Sequence, residues 1–118
     1  MLVVEDEFLL AAALEDTLND LGCQIIGPCP TVVAAMKAID REIPQLAVLD
    51  VNVRGELIFS VADRLHALGV PIVFCTGYAD MPLMPARYEG LTCLSKPCDA
   101  ASLVEAVTAL AHGRSVRP

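Results

Sequence analysis

The feature that most constrains this chain is a short apolar run that ends in one carboxylate, Ala47-Val48-Leu49-Asp50. An apolar run of this length between polar residues predicts a β-strand that is buried on both faces. Such strands belong to parallel sheets that carry helices on each side. Asp50 stands at the carboxyl end of the strand, where open α/β sheets place their ligand sites. We therefore interpret Asp50 as the centre of a functional site.

Strand and helix patterns alternate along the rest of the chain. Short apolar runs at residues 2–4, 23–27, 46–50, 71–75 and 91–95 predict five strands. Between them, apolar residues recur three or four positions apart, which predicts amphipathic helices. These helical faces comprise Leu10, Leu14, Leu18 and Leu21; Val32, Ala35, Met36 and Ile39; Ile58, Val61, Leu65 and Leu68; and Leu103, Val107 and Leu110. The alternation predicts a doubly wound parallel sheet covered by helices on both faces.

Several residues predict where these elements begin and end. Thr31 is a good N-cap for the second helix, and Gly22 is a suitable residue to end the first. Residues 51–56 are interpreted as a loop. Pro82 and Pro85 lie where a fourth helix would be expected, so we predict at most a short helix or turn within residues 78–90.

Length and charge limit the possible classes of protein. A chain of 118 residues is expected to form one domain spanning residues 1–118. The formal net charge of −7 argues against nucleic acid as a direct partner, because phosphate backbones require basic patches. We expect neither a membrane span nor a signal peptide. The five irregularly spaced cysteines are interpreted as small buried residues in a reducing cytoplasm, with a redox role for Cys93 and Cys98 as the alternative.

Polar residues follow four of the predicted strands at the same edge of the sheet. Glu5 and Asp6 follow the first strand, Asp50 ends the third, Thr76 follows the fourth and Lys96 follows the fifth. Each residue alone is weak evidence, since acids are common at helix starts. Their joint placement is much harder to obtain by chance. Three carboxylates in one cleft repel each other, and a hard divalent cation such as Mg²⁺ resolves that repulsion through oxygen ligands.

With these residues in place, the chain resembles a receiver domain of bacterial two-component response regulators from end to end. The motifs that carry the resemblance are Val4-Glu5-Asp6-Glu7, Leu49-Asp50-Val51-Asn52, Thr76-Gly77 and Lys96-Pro97. The resemblance implies a flavodoxin-like (βα)5 fold with strand order 2-1-3-4-5. Here the fourth helix is expected to be short or irregular.

The resemblance also implies a role for each residue of the site. Asp50 is expected to accept a phosphoryl group from a kinase phosphohistidine, and Lys96 and Thr76 to hold it. Asp6 and Asp50 are expected to bind Mg²⁺ through their side chains, Glu5 mainly through water, and Asn52 through its backbone carbonyl. Gly77 leaves the approach open, and the Lys96–Pro97 bond is expected to be cis.

A narrower resemblance lies in residues 71–78, Pro-Ile-Val-Phe-Cys-Thr-Gly-Tyr, which are similar to the PFxFATGY signature of an alphaproteobacterial receiver subfamily. That subfamily implies sensor kinases of the HWE/HisKA2 type and general stress signalling. Cys75 replaces the usual alanine and Ile72 the usual phenylalanine. Tyr78, two residues after Thr76, either shields the phosphoryl group or packs on the surface.

One departure from the family pattern concerns the conformational switch. Typical receivers carry a tyrosine or phenylalanine three residues before the lysine, and here that position is Cys93. We hypothesise that the switch runs through Thr76 and residues 78–90 instead. Arg87 and Tyr88 are expected to belong to a solvated loop or partner face.

The sequence leaves alternative functions open. The first expectation is a non-enzymatic switch, relay or phosphate sink whose partners are a histidine kinase or phosphotransfer protein and an unknown target protein. A phosphorylation-independent scaffold is the alternative. An aspartyl-phosphate phosphohydrolase of the haloacid-dehalogenase kind is disfavoured for two reasons. The pair of acids in those enzymes follows their first strand, whereas Asp50 ends the third, and Asn52 stands where the second acid of the pair is needed. A flavin carrier is disfavoured because Glu5, Asp6 and Glu7 would repel a phosphate. We expect a monomer or weak homodimer.

Overall fold

A computed structural model describes residues 1–77, 80–88, 91, 93–96 and 100–111 of the chain. Five parallel strands form the central sheet: β1 (Leu2–Val4), β2 (Ile26–Cys29), β3 (Ala47–Asp50), β6 (Ile72–Thr76) and β7 (Cys93–Ser95). Two shorter strands, β4 (Asn52–Val53) and β5 (Glu56–Leu57), pair in a separate hairpin. The order of strands in the central sheet is β2-β1-β3-β6-β7. Counted without the hairpin, the order is 2-1-3-4-5, so the predicted doubly wound sheet is confirmed.

Within the described residues, four α-helices cover the two faces of the sheet. They are α1 (Phe8–Asp20), α2 (Val32–Arg41), α3 (Phe59–Ala67) and α4 (Ala100–Ala111). Side chains of α2 and α3 pack with Leu49 and Phe74 in one buried cluster. Side chains of α1 and α4 pack with Val48 and Val73 in another. Because successive strand residues point to opposite faces, the apolar run in β3 supplies both clusters.

The predicted helix ends are confirmed at two positions. The Thr31 hydroxyl accepts a hydrogen bond from the Ala34 amide at 3.0 Å, as an N-cap should. Gly22 follows α1 with φ of +81°, the left-handed conformation that glycine adopts readily at a helix end. By contrast, Leu21 and Leu68 are exposed, so each predicted apolar face extends one residue too far.

The second strand begins three residues later than the predicted run at residues 23–27. The observed strand, Ile26–Cys29, continues through Pro28. β2 is an edge strand, where proline is tolerated because one side of its backbone needs no partner. The pairing also skips a residue, since Leu2 pairs with Ile26 and Val4 with Cys29. Gly27 fits this irregularity, because a Cβ there would lie 2.8 Å from the Val3 carbonyl oxygen.

Residues 51–56, predicted as a loop, form most of the β4–β5 hairpin. The segment with Pro82 and Pro85 contains two 3-10 turns within the described residues, Met81–Leu83 and Ala86–Tyr88, as its prolines predicted. In the parts of the chain that are described, no helix combines the length and apolar character needed to cross a bilayer.

The cysteines differ in environment. Cys29 is buried, Cys23 is half-buried and Cys93 is exposed, and all three are free thiols. Cys75 is disulfide-bonded. The prediction that the cysteines are small buried residues is therefore wrong for Cys93, and the expectation of reduced thiols is wrong for Cys75.

Candidate functional site

The carboxyl ends of β1, β3, β6 and β7 bring the predicted site residues to one edge of the sheet. In register, Asp50 of β3 pairs with Cys75 of β6, and Thr76 pairs with Ser95 of β7. Lys96 follows directly, and its backbone amide donates to the Thr76 carbonyl at 2.8 Å. This parallel register places the Lys96 side chain beside Asp50.

Lys96 forms ion pairs with two buried carboxylates. Its Nζ lies 2.8 Å from Asp50 Oδ2 and 3.1 Å from Glu5 Oε1. Glu5 and Asp50 each keep only 2% of their surface exposed. One cation therefore serves two acids in a largely desolvated setting, where an unpaired charge would be costly.

The burial shifts the acid–base equilibria of this group. Desolvation raises the pKa of Glu5 to about 7, with the negative charge of Asp50 adding to the effect. Desolvation also raises the pKa of Asp50, although the hydrogen bond from Lys96 opposes this. The two carboxylates in turn raise the pKa of Lys96 despite its own burial, so the amine stays protonated. The site thus holds more acid than its cation neutralises.

Asp6 has a different environment from the other two acids. It is only partly buried, and its Oδ2 accepts a hydrogen bond from the Arg54 amide at 2.8 Å. Burial tends to raise its pKa, but the Arg54 amide and further hydrogen bonds outweigh burial, and the pKa is lowered. Asp6 therefore remains a carboxylate at neutral pH.

The three acids converge as a divalent cation site requires. One carboxylate oxygen each from Glu5, Asp6 and Asp50 lie within 4.8 Å of one another. All three donors are hard oxygen atoms, which suit Mg²⁺, and the excess acid of the site gives a cation an electrostatic reason to bind. The donor set and its charge fit the expected metal.

The remaining predicted residues lie in several settings. Thr76 is fully buried, and its hydroxyl donates to the Gly77 carbonyl at 3.2 Å. A Cβ at Gly77 would meet nothing within 4 Å, so this approach is open and does not itself require glycine. Cys93 lies exposed on β7. Tyr78 and Pro97, with the predicted cis bond before it, lie outside the described residues.

Asn52 connects the site to two neighbouring segments. Its backbone amide donates to Asp50 Oδ1 at 3.4 Å, and its side-chain Nδ2 donates to Asp80 Oδ1 at 3.4 Å. Its side-chain Oδ1 accepts from the Gly55 amide at 2.9 Å. Sequence reasoning missed both Arg54 and Asp80. The Arg54-Gly55 pair was a weak turn signal, and nothing near Asp80 in the sequence indicated its contact.

The expectation for Tyr88 is wrong. This side chain is 3% exposed and packs against the rings of Phe59 and Phe74, with centroids 5.9 and 5.4 Å away. Its hydroxyl donates to Asp63 of α3, and Arg87 forms a two-pronged ion pair with the same carboxylate at 2.9 and 3.0 Å. Arg87 is exposed, as predicted.

Comparison with known proteins identifies relatives of this fold and site. Residues 1–108 match the family model of the response regulator receiver domain. The phyllosphere-induced regulator PhyR of Methylorubrum extorquens is 31% identical over 106 residues, which cover 87% of this chain and 40% of PhyR. This chain spans half or less of the length of the curated relatives that it matches.

Solved structures agree with this assignment. SdrG from Sphingomonas melonis Fr1 superposes with a TM-score of 0.82 at 37% identity, covering 93% of each chain. A BeF3-activated conformation of SdrG, from Pseudomonas melonis Fr1, gives a TM-score of 0.76 at 36% identity, covering 92% of each chain.

Proposed function

The chain belongs to the response regulator receiver family, and on that premise we propose that it is a Mg²⁺-dependent phosphoryl acceptor whose acceptor residue is Asp50. The observation that carries this proposal is the placement of the Lys96 amine 2.8 Å from a buried Asp50 carboxylate that also neighbours two further acids. Within this proposal, residues 1–118 form one receiver domain.

Asp50 acts as the nucleophile in the proposed reaction. One carboxylate oxygen attacks phosphorus, and a new oxygen–phosphorus bond forms as the bond to the donor breaks. For a phosphohistidine donor, the electron pair of the breaking bond returns to the imidazole nitrogen, so the donor leaves as free histidine. The product is an aspartyl phosphate, a mixed anhydride of the kind that carboxylate nucleophiles form.

Lys96 and Thr76 are assigned to the phosphoryl oxygens. Lys96 carries a compact positive charge, and the incoming anion gives it a new partner beside Asp50. In the structure the Thr76 hydroxyl donates to the Gly77 carbonyl. A rotation about the Thr76 side-chain bond would let the same hydroxyl donate to a phosphoryl oxygen instead. Thr76 ends β6 and Lys96 follows the adjacent strand β7, so the sheet limits how far either residue can move.

Glu5, Asp6 and Asp50 are assigned to the metal, together with the Asn52 backbone carbonyl. When bound, Mg²⁺ would offset the negative charges of the acids and of the incoming phosphoryl group. The chain's own contribution is to keep Asp6 ionised through the Arg54 amide, and to bury Glu5 and Asp50 where their charges need a counterion.

The likeness to SdrG supports this assignment. Beryllium fluoride imitates a phosphoryl group on a carboxylate, and SdrG has a BeF3-activated conformation. SdrG shares more than a third of its residues with this chain over nearly its whole length.

We infer that the phosphoryl donor is a sensor histidine kinase, of the HWE/HisKA2 type suggested by residues 71–78, or a phosphotransfer protein. The domain then acts as a switch, relay or phosphate sink, as a monomer or weak homodimer.

The proposed switch runs from Thr76 to the described segment 80–88. Asn52 donates to Asp50 through its backbone amide and to Asp80 through its side chain, so a change at the acceptor would reach the start of this segment through one residue. Tyr88 at its end packs on Phe74, two residues before Thr76. Amide exchange of residues 80–88 should change when beryllofluoride and Mg²⁺ are added, and equal protection in both states would refute this route.

The test of the proposed function is the intact mass after incubation with acetyl phosphate. We expect one added phosphoryl group with Mg²⁺, none with EDTA, and none in Asp50→Asn. Asp16→Asn, at an exposed position on α1, is the matched control and should be phosphorylated like the wild type. If no adduct forms, beryllofluoride binding is measured, and failure there too would favour the phosphorylation-independent scaffold.

A further inference from the structure

The hairpin that follows Asp50 has a tight turn with an unusual backbone. Asn52 pairs with Leu57 and Val53 with Glu56, which leaves Arg54 and Gly55 as the two turn residues. Their φ angles are +51° and +81°. Two successive positive φ angles are typical of the hairpin turn that matches the twist of its strands. Arg54 is the one described residue other than glycine with a positive φ.

This backbone conformation presents one amide to the site. The Arg54 N–H donates to Asp6 Oδ2 at 2.8 Å across a sequence separation of 48 residues. Asp6 differs here from Glu5 and Asp50, which form ion pairs with Lys96. A neutral amide orients the Asp6 carboxylate without cancelling its charge, so the charge remains for a cation.

Two further contacts hold the turn in place. The Asn52 side-chain Oδ1 accepts from the Gly55 amide at 2.9 Å, which closes the turn from within. Val53 is buried in the core cluster that also contains Leu49 and Phe74. The hairpin is therefore attached to the core at one strand, and its turn extends to Asp6.

We propose that the hairpin of residues 52–57 is a positioning element for the metal site, in which the Arg54 amide orients Asp6 and the Asn52 carboxamide holds the turn closed. This inference rests on the proposed function, since it takes Asp6 to be a Mg²⁺ ligand. The Arg54 side chain is not required, because the donor belongs to the backbone. What the sequence must supply is a pair of residues that tolerate positive φ.

Hydrogen-bond partners that orient metal ligands contribute measurably to the affinity for the metal. Loss of such a partner commonly weakens metal binding by about tenfold to a hundredfold. A β-branched residue at position 55 opposes the left-handed conformation and should open the turn. Asparagine tolerates that conformation better than other residues with a side chain. Gly55→Val should therefore weaken Mg²⁺ binding by about tenfold or more, and Gly55→Asn should recover most of the loss.

A matched control is available at Gly69. This glycine also has positive φ, +75°, and a Cβ there would meet nothing within 4 Å, as at Gly55. It follows α3 and precedes β6, at the opposite edge of the sheet from the site. Gly69→Val thus imposes the same backbone strain without touching the hairpin.

The experiment is a calorimetric Mg²⁺ titration of the wild type and these variants, with a thermal unfolding curve of each protein without metal. We expect weak binding in Gly55→Val, recovery in Gly55→Asn, and wild-type affinity in Gly69→Val. Wild-type affinity in Gly55→Val would overturn the inference, as would equal losses in Gly55→Val and Gly69→Val.

A second variant protects the test against unfolding. If Gly55→Val does not fold, the Mg²⁺ affinity of Asn52→Ala tests the inference instead. This substitution removes the side-chain oxygen that accepts from the Gly55 amide and keeps the backbone carbonyl at position 52. Asn52→Ala should also weaken binding, and unchanged affinity would overturn the inference. A wild type that binds no Mg²⁺ would instead refute the proposed function itself.

Discussion

Replacing Lys96 by methionine tests the charge balance of the site. The substitution removes the cation that contacts both Glu5 and Asp50 and leaves a side chain of similar length. Removing one partner of a buried ion pair commonly costs about 3–5 kcal/mol, because the other charge stays buried without a partner. An acid can escape that cost by binding a proton, so pH limits the loss.

The limit follows from the ordinary pKa of the acid that takes the proton. Glu5, whose pKa is raised to about 7 in the folded wild type, is already partly protonated at pH 7, so the further proton goes to Asp50. Asp50 has an ordinary pKa of 3.8, and each pH unit above that value adds about 1.4 kcal/mol to the cost of keeping it protonated. The cost is thus at most about 4 kcal/mol at pH 7 and about 2 kcal/mol at pH 5. Lys96→Met should therefore lose up to about 4 kcal/mol of unfolding free energy at pH 7 and less than about half of that at pH 5.

Urea unfolding followed by circular dichroism at the two pH values measures these losses. Saturating Mg²⁺ at pH 7 should restore part of the stability, since a ligand that binds the folded state stabilises it. Lys37→Met, at an exposed position on α2, is the matched control and should change stability little at either pH. An equal loss for Lys96→Met at pH 5 and pH 7 would refute the charge-balance reasoning.

Three smaller predictions concern stability and ionisation. Tyr88→Ala should lose about 3–5 kcal/mol of unfolding free energy in urea, because it removes a buried ring that packs on Phe59 and Phe74. A loss below about 1 kcal/mol would contradict this packing. Burial and the hydrogen bond to Asp63 raise the pKa of Tyr88 to about 12, so ultraviolet absorbance should show its phenol ionising near pH 12. Because the pKa is higher in the folded state, the free energy of unfolding should fall as the pH rises from 10 through about 12. Thr31→Ala should lose about 1 kcal/mol and Thr31→Ser should recover it; equal stability of both variants would argue against the cap.

The parts of the fold that the sequence predicted are those governed by local pattern. The buried run at residues 47–50 and the helical faces carry their signal in consecutive residues, so the strand, the helices and the order of elements agree with the structure. The acids and the lysine of the site follow from the same pattern, because parallel strands bring their carboxyl ends to one edge.

The features that were missed depend on distant contacts. Tyr88 lies among prolines and charged residues, which indicated a surface loop, but Phe59 and Phe74 bury it. The hairpin at 52–57 has strands of two residues each, too short for an alternation pattern. β2 continues through Pro28 because it lies at the edge of the sheet, which local sequence does not reveal.

The buried ring of Tyr88 also bears on the missing aromatic residue at position 93. Cys93 is exposed on β7, so this strand supplies no ring at that position. Tyr88 supplies one from the neighbouring 3-10 turn, in contact with Phe74 and hydrogen-bonded to Asp63. A ring on this turn, rather than on the strand, gives the proposed switch through residues 80–88 a packed group that can respond to the site.

Chemical trapping of the acceptor residue tests the central proposal most directly. Borohydride reduces an aspartyl phosphate to the corresponding alcohol, so peptide mass mapping after treatment with acetyl phosphate and Mg²⁺ identifies the modified residue. We predict reduction at Asp50 and at no other acid, and none when EDTA removes the metal. Reduction at Glu5 or Asp6, or at Asp50 in equal amount with and without Mg²⁺, would contradict the proposed acceptor and metal site.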